Sequence, residues 1–263
     1  MNEAGAHGSG VSVDLGAYDA WLFDMDGVVT KTAAVHAAAW KQTFDEFLQR
    51  EAARSATPFV SFDVESDYEK YVDGEPREDG VRNFLKSRNI ELPEHGDHGT
   101  PDTRSVTGLA TRKNDLVLEV MQRTGVEVFE GAAALVGELR RRGVKVAVIS
   151  ASENTRAALA AAGVLALFDA IVDGNVVRER HLAGKPSPDS FLEGARVLGT
   201  EPGRCVVLED ALAGVEAGRS GHFALVIGVD HHDAPGVNDY ADELRAHGAD
   251  VVVRSLVALA PAP

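Results

Sequence analysis

Cysteine is almost absent. Cys205 stands alone among 263 residues, so no disulfide can close within the chain, which fits a reducing cytoplasm. Also missing is any apolar run long enough to span a bilayer. The opening stretch MNEAGAHGSGVSVDLG has neither a basic n-region nor an apolar h-region and does not read as a signal peptide. Basic residues are scarce, with 26 Lys and Arg against 41 Asp and Glu, for a net charge of −15. That deficit argues against nucleic acid or an anionic membrane as a general partner. It leaves room for a phosphorylated small molecule, because a metal and a few cations can reverse the field locally. No internal repeat or low-complexity linker is visible. The expectation is a soluble cytoplasmic protein, a monomer, with a dimer left open.

What is present is a globular composition, 44% hydrophobic and 25% charged. AYDAWLF reads as a short buried strand, and VKVAVIS (144–150), FDAIVD (168–173), CVVLED (205–210), FALVIGV (223–229) and DVVV (250–253) read likewise. Amphipathic stretches such as AALVGELRRRG, SPDSFLEGARVLG and ALAGVEAGRSG separate them. Doubly apolar strands alternating with helices predict a Rossmann-like α/β fold, a parallel sheet with helices on both faces. Residues 31–126 differ. TAAVHAAAWKQTFDEFLQRE, REDGVRNFLKSR and RKNDLVLEVMQRTG carry helical spacing, and ELPEHGDHGTPDTRSVTG is a polar loop. The predicted organisation is a loose tail over 1–16, an α/β core over 17–30 and 127–263, and a helical insert over 31–126.

In an open parallel sheet, ligands bind beyond the carboxyl ends of the strands. There the sequence places Asp24 and Asp26 after the first strand, Ser150 after VKVAVI, and Glu209 with Asp210 after CVVL. Carboxylates crowded at one rim repel one another unless a divalent cation sits among them, and oxygen ligands beside a phosphate favour Mg²⁺. The cation would let a carboxylate approach phosphorus as nucleophile. Lys185, in GKPSPD, would neutralise remaining charge, and the Ser150 hydroxyl would hold phosphoryl oxygens. Asp26 is then left to act as general acid and base.

DMDGVV, VISAS, GKPSPD and LEDALAGVEAG, in that order, resemble the four motifs of the haloacid dehalogenase superfamily, and within it the β-phosphoglucomutase group. The resemblance runs from about Ala17 onward and implies a haloacid dehalogenase-like core with an inserted α-helical cap domain. It implies Asp24 as the nucleophile that becomes an aspartyl phosphate and Asp26 as acid/base. Mg²⁺ would be held by the Asp24 carboxylate, the Asp26 carbonyl and the Glu209–Asp210 pair. Thr32, His36 and Trp40 resemble the stretch linking cap and core. PREDGV resembles the cap segment whose arginine grips the non-reacting phosphate, here Arg77 with Gly74 and Glu75 nearby. RKND resembles the segment that carries a substrate-binding lysine, here Lys113, and SASEN resembles the core loop in which Ser150, Ala151, Ser152 and Asn154 would line the substrate. The implied reaction interconverts β-D-glucose 1-phosphate and glucose 6-phosphate through a glucose bisphosphate. The alternatives are a sugar-phosphate phosphatase of the same superfamily and a catalytically silent phosphosugar-binding protein.

Two positions depart from the group's pattern: Lys31 stands where an Asp is common, and Glu153 where a Lys is common. Losing a cation weakens the distal phosphate site unless Arg77 and Asn154 suffice. Plainer readings stand beside several assignments. Glu209 and Asp210 could cap the following helix, Ser150 could be an ordinary strand-end hydroxyl, His36 a packed histidine, and Arg77 and Lys113 surface cations. Trp40 reads as packing between cap and core, and Cys205 as buried core. His95, His98, His231 and His232 read as solvated loop residues. AGKPS is no Walker loop, since Glu179 occupies the leading glycine's place and proline follows the lysine.

Overall fold

The computed structural model describes residues 13–73, 75–96, 104–231 and 240–259. Within them lie six strands, β1 (Ala20–Asp24), β2 (Lys145–Ile149), β3 (Ala170–Val172), β4 (Cys205–Glu209), β5 (Leu225–Val229) and β6 (Val251–Val253). They form one parallel sheet in the order β3-β2-β1-β4-β5-β6. Between β1 and β2 run α1 (Ala33–Ser55), α2 (Ser66–Tyr71), α3 (Arg77–Ser87), α4 (Val106–Thr124) and α5 (Ala132–Arg141). The later crossovers are made by α6 (Thr155–Ala161), α7 (Gly174–Glu179), α8 (Asp189–Leu198), α9 (Leu212–Ser220) and α10 (Tyr240–His247).

Strand periodicity builds the layers. Trp21 and Phe23 point to the face packed with Val146, Val148, Val206 and Leu208 under α5 and α6. Ala20 and Leu22 point to the other face, with Ala147, Ile149, Val207 and Phe191, under α8 and α9. Every residue of β1 is buried, because it lies between β2 and β4. Burying Phe23 alone is worth ~2–3 kcal/mol. Leu15 joins the first of these cores at 4% exposure, so the chain is anchored two residues inside the stretch expected to be a loose tail.

The helical insert has its own core. His36, Ala39, Trp40, Thr43, Phe44, Phe47 and Leu48 are buried along one stripe of α1. Phe44 stacks on Trp40 at 5.0 Å and packs 4.1 Å from Phe84 of α3. The chain enters and leaves the insert side by side. Lys31 N–H donates to Glu127 O at 2.9 Å and Phe129 N–H to Val29 O at 3.0 Å, around an antiparallel bridge from Thr30 to Val128. Helix α4 starts six residues before the predicted RKND stretch, because the Ser105 hydroxyl caps it by accepting from Gly108 N–H at 3.0 Å. Helix α2 was not predicted; it buries none of its residues and leaves no periodic signal. Among the described residues no helix is long and apolar enough to cross a membrane.

Candidate active site

Sheet register gathers the strand tips. Asp24 lies opposite Ile149, which sets Ser150 one residue beyond it, and Phe23 lies opposite Leu208, which sets Glu209 level with Asp24. Lys185, from the loop before α8, reaches into this rim. Its Nζ donates to Asp24 Oδ1 at 2.5 Å and to Glu209 Oε1. All three side chains are buried. Burial pulls the Lys185 ammonium down, but the Asp24 and Glu209 carboxylates outweigh it and hold the group above its ordinary range. Burial raises Asp24 well above the usual carboxylate value, with Lys185 opposing and Glu209 and Asp26 adding to the rise. Ser150 is buried, and its Oγ accepts from Ser152 N–H at 3.1 Å.

Glu209 is fully engaged. Its Oε2 accepts from Ala211 N–H at 2.8 Å at the start of α9, while Oε1 takes Lys185. Both Glu209 oxygens thus have partners within the chain, and Ala211 lies just ahead of α9, whose N-terminus takes no side-chain cap. Asp210 differs. Its carboxylate has no hydrogen bond among the described residues and lies against Gly27, where a Cβ would fall 1.8 Å from Oδ2. Gly27 also takes φ +93°, so two constraints require glycine there. Burial raises Asp210 well above the carboxylate range, with Glu209, Asp24 and Asp73 reinforcing. Among the described residues no group of three acidic, imidazole or thiol side chains stands arranged for a metal. The donor chemistry nevertheless fits a hard divalent cation: buried carboxylates outnumber the one ammonium among them, and the Asp210 oxygens are uncommitted.

Asp26 begins the turn into the insert. Thr32 Oγ1 donates to its Oδ1, and Thr30 Oγ1 lies 2.9 Å from Thr32 Oγ1. Thr32 precedes α1 without capping it, because its hydroxyl is turned to Asp26 instead. His36 places Nε2 at 3.8 Å from Asp26 Oδ1. Its Nδ1 lies 2.7 Å from Lys113 Nζ, which rests 4.9 Å above the Trp40 ring. Burial, with Lys113 next, pushes the His36 imidazole down to about 4, so it is neutral. Where Lys113 Nζ donates to Nδ1, the ring proton is left on Nε2, facing Asp26. Burial lowers Lys113 to about 7. The surface-cation reading of Lys113 fails, since it is 5% exposed.

These groups line a cavity of about 290 Å³ between sheet rim and insert. Its far end holds Arg77. Nη1 donates to Asn114 Oδ1 at 2.5 Å and Nη2 to Glu153 Oε2 at 2.6 Å, while Nε is buried without a partner. Asn154 Nδ2 also donates to Asn114 Oδ1, at 2.6 Å. Glu75, Ala151 and Ser152 line the same cavity, and Gly74 lies outside the described residues. The sequence reading passed over Asn114, Asp73, Tyr68 and Arg178, all of which face the cavity. Asn114 sat in plain view inside RKND, whereas Asp73 and Tyr68 carried no local signal. Asp73 is raised to about 6, chiefly by burial and then by Glu209. His95 and His98 do not enter the site: His95 is exposed, and His98, like His232, lies outside the described residues. His231 is not simply solvated, because its ring stacks on Phe129 at 4.2 Å and its Nε2 meets Gly27 O. Cys205 is buried, as expected.

A Mycobacterium tuberculosis protein named beta-phosphoglucomutase is 47% identical to this chain over 244 residues, 91% of this chain and 90% of the relative. The beta-phosphoglucomutase of Bacillus subtilis is 29% identical over 216 residues, 79% and 82% of the two chains. The crystal structure of beta-phosphoglucomutase from Clostridium difficile shares the fold, with a TM-score of 0.70 over 91% and 92% of the chains at 24% identity. The haloacid dehalogenase-like hydrolase family model matches residues 18–222. By that match, and by the four segments gathered at one rim, the chain belongs to the haloacid dehalogenase-like hydrolase family.

Proposed function

We propose that the chain is a β-phosphoglucomutase, interconverting β-D-glucose 1-phosphate and glucose 6-phosphate in the cytoplasm. The observation that carries this reading is a two-ended cavity, with Asp24 and Lys185 at one end and Arg77, with its unpaired Nε, at the other. A mutase must hold a phosphate at each end of the sugar, whereas a phosphatase needs only the reacting end.

Asp24 carries the phosphoryl group as an acyl phosphate. The C6 hydroxyl of β-glucose 1-phosphate attacks it while Asp26 takes the hydroxyl proton, giving the 1,6-bisphosphate. The bisphosphate turns over, Asp24 attacks the C1 phosphate, and Asp26 returns the proton to the C1 oxygen. Lys185 opposes the burial that raises Asp24 and offsets charge on the transferring group. Ser150 and neighbouring backbone N–H groups receive phosphoryl oxygens. Thr32 and the His36–Lys113 pair aim Asp26. Residues 31–126 act as the cap, whose closure keeps water from the acyl phosphate. Mg²⁺, held by Asp24, the Asp26 carbonyl and Asp210, would supply charge neutralisation between nucleophile and phosphate.

The test is ³¹P NMR of β-glucose 1-phosphate with enzyme, Mg²⁺ and a trace of the bisphosphate. Accumulating glucose 6-phosphate supports the mutase, while inorganic phosphate as the main product assigns the chain to the phosphatases instead.

A further inference from the structure

The far end of the cavity holds an ion triad of which the mechanism above uses only Arg77. Glu153, on the loop after β2, is bridged by Arg77 Nη2 from α3 at 2.6 Å and by Arg178 Nη1 from α7. The bridge joins cap to core through one carboxylate. Arg178 is an exposed side chain, 67% open to solvent, that is tied to its own helix. Its Nη2 donates to Asn175 Oδ1 at 3.0 Å, one turn back along α7. That turn is pressed onto the 151–153 loop, since a Cβ on Gly174 would fall 2.4 Å from Ala151 O and 2.8 Å from Glu153 N. Gly174 N–H donates to Ser152 O at 3.0 Å and Asn175 Nδ2 to Glu153 O at 3.3 Å. Loop and helix are therefore packed together, with Arg178 Nη1 paired to Glu153.

The charge arrangement is informative. Two guanidinium groups converge on a single carboxylate, one of them with a buried Nε that nothing accepts from. Planar guanidinium pairs of this kind match the oxygens of a carboxylate or of a phosphate equally well. Position 153 is also where the resemblance leads one to expect a lysine, so the site lacks one cation and contains an extra anion. We propose that Arg178 supplies the second cation of the distal phosphate subsite, and that the Glu153 carboxylate is a built-in anion which the non-reacting phosphate of the substrate displaces. The inference rests on the mutase reading, which requires that distal phosphate. Glu153 then sets specificity: a sugar with no second anion cannot displace it from both arginines, whereas a phosphate dianion can.

The experiment is steady-state kinetics of the Mg²⁺-loaded full chain and its R178A, E153Q and R178A/E153K variants. β-Glucose 1-phosphate is the substrate, and acetyl phosphate, a donor with no second anion, is the reference. Expected is a ~10-fold higher KM for β-glucose 1-phosphate in R178A, the loss typical of one charge-assisted bond at a half-open site. E153Q lowers that KM several-fold, R178A/E153K restores it towards the starting value, and acetyl phosphate turnover is the same in all. An unchanged KM in R178A, an equal loss with acetyl phosphate, or a raised KM in E153Q overturns the inference. Failure of the unsubstituted chain to isomerise β-glucose 1-phosphate while it turns over acetyl phosphate strikes the mutase reading and not this subsite alone.

Discussion

Gly214 offers a sharp test of how rigidly the reacting end is built. It lies in the first turn of α9, and a Cβ there would fall 1.8 Å from Glu209 Oε1 and 2.0 Å from its Cδ. The carboxylate cannot swing away freely, because Oε2 accepts from Ala211 N–H at 2.8 Å and Oε1 from Lys185. In a helix with space around it, Gly→Ala stabilises by ~1 kcal/mol through backbone entropy. Gly137 of α5, with nothing within 4 Å of its Cβ position, is such a site. At Gly214 that gain is opposed by overpacking of ~1–3 kcal/mol and by loss of a charge-assisted hydrogen bond worth ~1.5–3 kcal/mol. The net expectation is G214A destabilised by ~1.5–5 kcal/mol and G137A stabilised by up to ~1 kcal/mol. Because Glu209 positions Lys185 beside Asp24, G214A should also lose ~100-fold or more in kcat, since misplacement of about 1 Å costs that much. Urea unfolding and steady-state rates read both effects. If G214A matches G137A in stability and keeps full activity, the Glu209 carboxylate is not pinned as described.

Lys113, lowered by burial to about 7, makes folding pH-dependent. Between that value and the ordinary lysine value near 10.5 the unfolded chain binds the proton and the folded chain does not, so stability rises with pH across the window. K113M should flatten that rise in unfolding curves measured from pH 7 to 10, and an unchanged slope would show that the ammonium is not desolvated. Asp210, partly buried and without a side-chain hydrogen bond among the described residues, is the expected anchor for Mg²⁺. Mg²⁺ should raise the Tm of the unsubstituted chain and leave D210N unmoved, while equal shifts in both would remove Asp210 from the metal site. W40L should lower kcat by ~10-fold or more by letting Lys113 and His36 drift from Asp26, with KM for acetyl phosphate little affected; unchanged kcat would make Trp40 a packing residue only.

What was legible in the sequence was the geometry that strands impose. Trp21 and Phe23 alternate with Ala20 and Leu22, so β1 declares two buried faces, and its apolar run stops at Asp24. Register then does the rest, because parallel neighbours of equal length bring Ser150 and Glu209 alongside without any further information. Contacts between distant segments were hidden. Lys113 looks like a surface residue in RKND, and only the Trp40 ring and the His36 imidazole, 77 residues away, make a buried place for it. Glu209 carried the same acidic signal as Asp210, yet Ala211 N–H and Lys185 engage its oxygens, a distinction of rotamer that no spacing encodes. The Glu153 departure was visible as an oddity, but its answer, Arg178, lies on another element.

The central claim is that the side chain at position 24 becomes covalently phosphorylated and passes that group to either end of the sugar. Acid-quenching the enzyme with β-glucose 1,6-bisphosphate and Mg²⁺, then mapping the modified peptide by mass spectrometry, tests it most directly. The account predicts one phosphoryl group on Asp24, discharged by added glucose 1-phosphate without release of inorganic phosphate and absent in D24A. A phosphoryl group on another residue, or full isomerisation by D24A, contradicts it.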